Sequence, residues 1–553
     1  MRFAGRSRHR GFALGLALSL AVTLATTAFA APPAALTTGG SLERPRAQRA
    51  SPAANRSPPS SDQRERPSAK WRATRDRALR HTLDRLLGEP AAASGFWGVY
   101  VYSLDRQRVL YDRNGERWFT PASNAKLFAL AAALELLGPQ YRFHTVVEAG
   151  TAPDAAGVIT GDLTLVGAGD PGLSGRVYPY QYRAPATPTG ALQLPYDPML
   201  AADRLAQQLV ARGVTRIAGA VIGDDAYFAD DRYGRGWAAD DLAQDYGAPV
   251  GALTMNDNQR FVEIVPGAVA GAPAQVRLVP GVGAALIDNH VVTGHRTAVT
   301  VSGWPGALRL DGEVAVGSAG GVEAIPVRDP ALYAAELLRQ ALLDHGITVV
   351  GAARARHRAQ GVAMGAPRAG FTLATWESPP LWEILQTTAK VSENLHAELL
   401  LRLLGKLRGA PGASGEDGEV AAGERVVAAF EHRAGLAHDD AELVDGSGLS
   451  RLDLVTPAGV VRLLRYMNGQ PEASAWRSFF PVAGEDGTLV HRFRGTAAAG
   501  VLTGKTGSMT HVHCLSGYVT TRHGEHLAFA IFADNQGQPG HSELDRLAVA
   551  LVE

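Results

Sequence analysis

The chain has 553 residues, with 54 basic and 54 acidic side chains and a formal net charge of zero. That balance gives no electrostatic case for a nucleic-acid partner. With 46% hydrophobic residues, the length allows about three domains. Cys514 is the only cysteine, so no internal disulfide can form and stability has to come from core burial.

Arg2, Arg6, Arg8 and Arg10 precede an apolar run from Gly11 to Leu24, and Ala28-Phe29-Ala30 forms a small-x-small cleavage site. Residues 1–30 therefore read as an export signal; the competing reading is an uncleaved anchor, because the run approaches spanning length. No cysteine lies nearby to carry a lipid. Pro32 to about Lys70 is rich in Pro, Ser, Ala and Arg. It cannot bury enough apolar area to fold, and 31–70 reads as a solvated linker, or as a basic tether to anionic lipid or wall polymer. The expected location is the periplasm or the extracellular envelope space, with at most peripheral membrane contact.

Folding is expected from Trp71. Leu79, Leu83, Leu86 and Leu87 give Asp76 to Leu87 a helical period with Gly88 as its stop. Phe96 to Tyr102 and Val109 to Tyr111 read as a hairpin across Asp105-Arg106-Gln107. Thr120-Pro121 then opens a helix from about Ala122 to Leu137, closed by Gly138-Pro139. Strand-like runs follow at Gly161 to Val166, Ile217 to Ile222, Phe261 to Val265, Val276 to Val279 and Ala298 to Val301. Helical runs at Met199 to Arg212 and Ala331 to His345 flank parts of them. Leu381 to Leu404 reads as helix interrupted at Lys390 to Asn394, and Val501 to Ser508 as a strand followed by Cys514 to Val519 and Leu527 to Ala533.

Three short motifs lie on these elements: Ser123-Asn124-Ala125-Lys126, Ser392-Glu393-Asn394 and Lys505-Thr506-Gly507. Each alone is weak; together, in this order, they form the S-x-x-K, S-x-N, K-T-G set. Lysine usage strengthens the signal. Lys70, Lys126, Lys390, Lys406 and Lys505 are the only lysines, and three of the five sit in or beside the motifs. Lysine can shed its proton when buried beside another cation, whereas arginine effectively cannot.

Ser123 and Lys126 lie three residues apart on one helix face. The helix N-terminus offers free N–H groups to a developing oxyanion, and a neutral Lys126 can take the Ser123 proton. Ser392 can relay a proton, and Asn394 can hold both a substrate carbonyl and the lysine. Lys505 and Gly507 face one way along their strand, where Gly507 admits a peptide backbone.

On these motifs the chain resembles the D-alanyl-D-alanine carboxypeptidase/endopeptidases, the class C low-molecular-mass penicillin-binding proteins. The resemblance runs from about Gly98 to the C-terminus. It takes in Pro121 to Leu127, Gly169-Asp170-Pro171, Gly219 to Asp225, Val327 to Pro330, Asp445-Gly446-Ser447-Gly448-Leu449-Ser450-Arg451 and Pro481 to Leu489. The Asp445 to Arg451 stretch discriminates most, since class A β-lactamases are not expected to carry it. Asp453 stands where similar proteins more often have Asn.

The resemblance implies an α/β (α+β) transpeptidase-like catalytic domain, helices around an antiparallel sheet, built from 71–150 and 369–553. A large strand-rich insertion at 151–368 interrupts it, with a nested all-β part at 262–324. It implies a serine DD-peptidase acting on peptidoglycan stem peptides through an acyl-enzyme, blocked by β-lactams and needing no cofactor. Ser123 is then the nucleophile, Lys126 the base, Ser392 the proton shuttle, Asn394 the amide holder and Lys505 the positive charge. The N–H groups of Ser123 and Ser508 form the oxyanion hole, and Lys505 with Thr506 receives the terminal carboxylate. Two other patterns are set aside. His511-x-His513-Cys514 lacks the convergent third and fourth ligands zinc needs, and in Gly167 to Gly172 Pro171 favours a turn over a phosphate loop.

Overall fold

The computed structural model describes residues 68–182, 192, 194–362, 370–410, 418–537 and 541–553. The expected export signal and nearly all of the expected linker lie outside the described residues. No helix among the described residues is long and apolar enough to cross a membrane.

A five-stranded antiparallel sheet sits at the centre. Its strand order is Leu502–Met509, Val512–Thr520, His526–Asp534, Phe96–Ser103 and Arg108–Arg113. The two segments expected to form the catalytic part are thereby joined: Phe96–Ser103 pairs in register with His526–Asp534, from Phe96 opposite Asp534 to Ser103 opposite Leu527. Alternation along each strand sends one set of side chains to each face. Val99, Val101, Phe529 and Ile531 pack against Leu83, Leu86, Leu87, Leu544 and Leu547 from helices Ala69–Leu87 and Ser542–Ala550. Tyr102, Tyr518, Ala530 and Phe532 face the helical core on the other side.

Helix Lys126–Leu137 runs through that helical core, and Lys126 to Leu134 are all buried. A helix apolar on every side has to be wrapped by others. Helices Leu381–Val391, Asn394–Arg408, Gly418–Arg433 and Pro457–Asn468 do this. Gly138 ends the helix at a φ of 85°, which a side chain would resist.

Between the two catalytic segments lies a mixed sheet, ordered Ala353–Arg356, Val221–Asp224, Leu163–Val166, His144–Ala149, Phe371–Glu377. The first three strands are parallel, and helices Leu200–Ala211 and Pro330–Asp344 cover the sheet. The outermost pair, Phe371 opposite Ala149 through Glu377 opposite His144, lies just outside the expected 151–368 bounds. These two strands belong to this sheet because their ladder, not the composition of the loops, defines its edge. The expected strand Ile217 to Ile222 is two, Arg216–Ile217 and Val221–Asp224, in different sheets. Inserted in turn is an all-β part of six strands from Gln259–Val265 to Gly321–Pro326, arranged as two three-stranded sheets. Its small core includes Val262, Ile264, Leu308, Leu310 and Ile325.

Candidate active site

Ser123 lies in a 3-10 turn, Ala122–Ala125, that feeds directly into helix Lys126–Leu137. Ala122 has a φ of 44°, a conformation costly for a residue with a Cβ. Neighbouring backbone enforces it. A Cβ on Gly448 would lie 1.8 Å from the Ala122 carbonyl oxygen, and one on Gly507 would lie 2.7 Å from that of Pro121. The Lys505-Thr506-Gly507 strand is therefore clamped on the serine turn, and the backbone that approaches Gly507 in this structure is the chain's own.

Lys126 is fully buried. Its Nζ lies 2.8 Å from Ser123 Oγ, 2.5 Å from Asn394 Oδ1 and 2.6 Å from the Ser447 carbonyl oxygen. Two of these partners can only accept. A neutral amine has two N–H bonds for them and a lone pair left for the Ser123 hydroxyl. Burial pushes the lysine down to about 8, against the opposing pull of the nearby carboxylates, Asp445 foremost.

The second motif is a joint between helices. Leu381–Val391 ends at Ser392, whose φ is 63°, and Asn394–Arg408 begins two residues on. That break swings Ser392 Oγ to 2.8 Å from Lys505 Nζ while Asn394 turns to Lys126. Asn394 Nδ2 donates to the Tyr246 carbonyl at 2.9 Å, which fixes which end of the amide faces the lysine. Lys505 is also fully buried and donates to the Thr506 carbonyl at 2.7 Å. Burial, then the nearby Lys126, hold it well below the ordinary lysine range. Thr506 Oγ1 bonds Thr488 Oγ1 at 2.8 Å. Ser508 is exposed near the end of the same strand, which is the edge of its sheet. An edge strand has unpaired backbone groups to offer a peptide.

The structure thus brings Ser123, Lys126 and Asn394 together, and Ser392 with Lys505, across three separate segments of sequence. Residues outside the three catalytic motifs hold them, Asp445 from the stretch that carries the family resemblance and Glu398 from no motif. Asp445 accepts from the N–H groups of Ser447, Gly448 and Ser450 and from Trp237 Nε1. Glu398 Oε1 accepts from the N–H groups of Gly446 and Ser447, both at 2.9 Å. Between them the two carboxylates fold the Asp445 to Ser450 loop so that the Ser447 carbonyl points at Lys126. Asn394, Glu398 and Arg402 recur at four-residue spacing on one buried helix face, a polar stripe visible in the sequence.

A second support comes from the insertion. Asn256, Asp257 and Asn258 all have positive φ, from 53° to 56°, a left-handed run that non-glycine residues rarely sustain. It aims Asp257 at His396 Nε2, 2.9 Å, and at Arg176, 2.6 Å. Arg176 reaches on to Glu393 at 3.2 Å. Burial opposes ionisation of Asp257, but Arg176 and His396 outweigh it and hold the group at about 2, while burial and Asp257 push Glu393 up. Asp257 is the ionised partner, and the middle residue of Ser392-Glu393-Asn394 is tied to the insertion.

The histidine pair resolves differently from simple alternation. His511 sits in the hairpin turn at a φ of 67° with Nδ1 against the Gln536 carbonyl, while His513 packs edge-on against His541. In the glycine-rich stretch Asp170 Oδ1 accepts from the Gly172 N–H at 2.7 Å within a turn.

Comparison places this arrangement among known proteins. The fold matches that of penicillin-binding protein 4 (dacB) from Haemophilus influenzae, with a TM-score of 0.70, 22% identity, and coverage of 85% of this chain and 98% of that one. A complex of the same protein with a β-lactam matches at a TM-score of 0.65 and 21% identity, with the same coverage. The chain is 36% identical over 506 residues to a D-alanyl-D-alanine carboxypeptidase of Actinomadura sp. (strain R39), covering 86% of this chain and 84% of the relative. Residues 79–552 match the model of the D-Ala-D-Ala carboxypeptidase 3 (S13) family, and the chain belongs to that family of peptidases.

Proposed function

We propose that this chain is an exported serine DD-peptidase that cleaves the D-Ala-D-Ala end of peptidoglycan stem peptides, or the D-Ala link to a cross-bridging diamino acid, through an acyl-enzyme on Ser123. The carrying observation is the three-way contact of Lys126 Nζ with Ser123 Oγ, Asn394 Oδ1 and the Ser447 carbonyl. Two fixed acceptors and one hydroxyl are what a neutral amine needs in order to act as a base toward that hydroxyl.

In this reading Ser123 Oγ attacks the carbonyl of the penultimate D-Ala as its proton passes to Lys126. The N–H groups of Ser123 and Ser508 hold the oxyanion. The C–N bond then breaks as the proton held on Lys126 passes by way of Ser392, hydrogen-bonded to Lys505, to the leaving amine, which leaves Lys126 neutral again. Water attacks the ester as Lys126 takes its proton, and that proton returns to Ser123 Oγ as the ester C–O bond breaks. Asn394 holds the substrate amide.

Lys505 supports the assignment of the carboxylate pocket. Among the described residues it has no acidic side chain within hydrogen-bonding reach; its partners there are Ser392 and the Thr506 carbonyl. A buried ammonium without a counter-ion is expensive, and the terminal carboxylate of the peptide, or the carboxylate of a β-lactam, supplies one, with Thr506 beside it. The Haemophilus relative was solved with a β-lactam, in keeping with such inhibitors acylating Ser123 here.

The N-terminal basic and apolar segments support export, and the substrate itself lies outside the cytoplasm. Purified protein incubated with cross-linked and uncross-linked muropeptides should release D-Ala, or separate the cross-linked dimers, with products identified by mass. If neither product forms, the proposal fails.

A further inference from the structure

Three buried carboxyl groups crowd the back of the loop that holds Lys126: Asp445, Glu398 and Asp453, of which only the first lies in a motif singled out by sequence. Their hydrogen-bond partners distinguish them. Asp445 faces the N–H groups of Ser447, Gly448 and Ser450, Trp237 Nε1 and the Ser447 hydroxyl. So many donors define an ionised acceptor. Glu398 takes two backbone N–H groups on one oxygen and Arg402 Nη1 at 2.8 Å on the other, and these donors favour its charged form against burial and Asp445, which push it up. Asp453 is fully buried and has one donor only, the Val444 N–H, 2.8 Å from Oδ1. Its Oδ2 meets no N–H or O–H group. What stands beside it is the Asp445 carboxylate.

We propose that Asp453 is a neutral carboxylic acid whose O–H donates to the Asp445 carboxylate, and that through this bond it is a positioning residue for Lys126. The path is short and continuous. Asp453 fixes Asp445 and the Val444 N–H; Asp445 gathers the amides of Ser447 and Gly448; the Ser447 carbonyl meets Lys126 at 2.6 Å. Charge counting agrees with the geometry. Arg402 is already bonded to Glu398, and Lys126 has to be neutral to act. A third carboxylate would have no partner. Burial first, and then Asp445 and Glu398, hold the Asp453 carboxyl well above the ordinary range.

The groups facing Asp453 come from three directions: Asp445 and the Val444 amide from its own loop, Glu398 from helix Asn394–Arg408, and Lys126 from the start of its helix. None can take over as a donor to Asp445 when Asp453 loses its proton. Ionisation then sets two carboxylates against each other in a dry site, and the loop releases Lys126. An asparagine at this position gives the same two bonds, its carbonyl to Val444 and its N–H to Asp445, without a proton to lose. The aspartate found here therefore makes acylation sensitive to alkaline pH in a way an amide would not.

The inference rests on the Ser123 acyl-enzyme reading, and its test keeps the two apart. The rate of labelling by fluorescent penicillin is measured against pH in the full chain for wild type, Asp453→Asn and Asp453→Leu, with Ser123→Ala as the reference for the nucleophile. Asp453→Asn should match wild type at neutral pH to within about twofold and keep its rate on the alkaline side where wild type falls. Asp453→Leu should be slower by about tenfold or more at every pH, because both bonds are gone. Infrared difference spectra should show a buried protonated-acid carbonyl band in wild type that Asp453→Asn lacks. An Asp453→Asn variant as slow as Asp453→Leu, superimposable wild-type and Asp453→Asn profiles, or a missing acid band would overturn the inference. Label persisting in Ser123→Ala would instead overturn the reading beneath it.

Discussion

Lys126 and Lys505 are both buried without a bonded carboxylate, yet their surroundings ask different things of them. Lys126 holds two obligate acceptors and the serine hydroxyl, and burial lowers it to about 8. If Lys126 is the base proposed, it works in its neutral form, so acylation should climb with pH and level off near 8; labelling rates across pH check this. With the alkaline fall assigned to Asp453, the profile is a bell with two separately addressable limbs. Lys126→Arg keeps the charge but cannot supply a neutral base, and labelling should slow by about 10²-fold or more. Lys505→Arg preserves the charge that meets the carboxylate and should cost less. Equal, mild effects of the two substitutions would remove Lys126 from the role of base.

At the scale of elements, the Ser392-Glu393-Asn394 joint depends on a turn about 135 residues upstream in the sequence. The left-handed Asn256-Asp257-Asn258 run spends conformational energy to seat Asp257 between Arg176 and His396. Asp257→Asn leaves the half-buried Arg176 with Glu393 as its remaining carboxylate and the Tyr196 ring beside it, and should cost about 1–3 kcal/mol of stability. Urea denaturation measures that loss, and penicillin labelling at a concentration of denaturant where both proteins are folded should be slower in the variant. Unchanged stability and labelling would show the strut to be idle.

Most of the elements were legible in the sequence, because helix Lys126–Leu137 and the hairpin Phe96–Arg113 carry their own periodicity, stops and turn residues. The motif residues were legible as well, since each sits where its element begins, breaks or reaches a sheet edge. The supports were not. Asp257, Arg176 and Trp237 are local turn or loop residues by every nearby signal, and only the folded chain carries them to the second motif and the Asp445 loop. Glu398 and Arg402 did leave a trace, the four-residue spacing from Asn394, but an apolar helix reading passes over a polar stripe that is itself buried. The module edge at His144–Ala149 and Phe371–Glu377 was displaced for a related reason: pairing across more than 200 residues has no local signature.

Over the whole molecule, the insertion is fastened by a charged clasp that has nothing to do with catalysis. His357, following strand Ala353–Arg356, bonds Asp225 through Nδ1 at 2.8 Å and Asp329 through Nε2 at 3.1 Å. Asp329 also caps helix Pro330–Asp344 through the Leu332 N–H. The hydrogen bonds to Asp225 and then Asp329 raise the imidazole from 6.5 to about 10, despite burial. Because the folded value lies above the unfolded one, its stabilisation is complete below about 6.5 and is lost as pH rises through about 10. The difference in urea midpoint between wild type and His357→Gln should therefore be large near pH 6 and shrink steadily toward pH 10. A difference independent of pH would mean the histidine is neutral in the folded protein.

The three motifs converge on one hydroxyl. Mass spectrometry of the protein after exposure to penicillin, with digestion to locate the adduct, tests that convergence most directly. The account predicts one penicilloyl group per chain on the peptide carrying Ser123, and none in Ser123→Ala. An adduct on any other residue, or one that survives in Ser123→Ala, would contradict it.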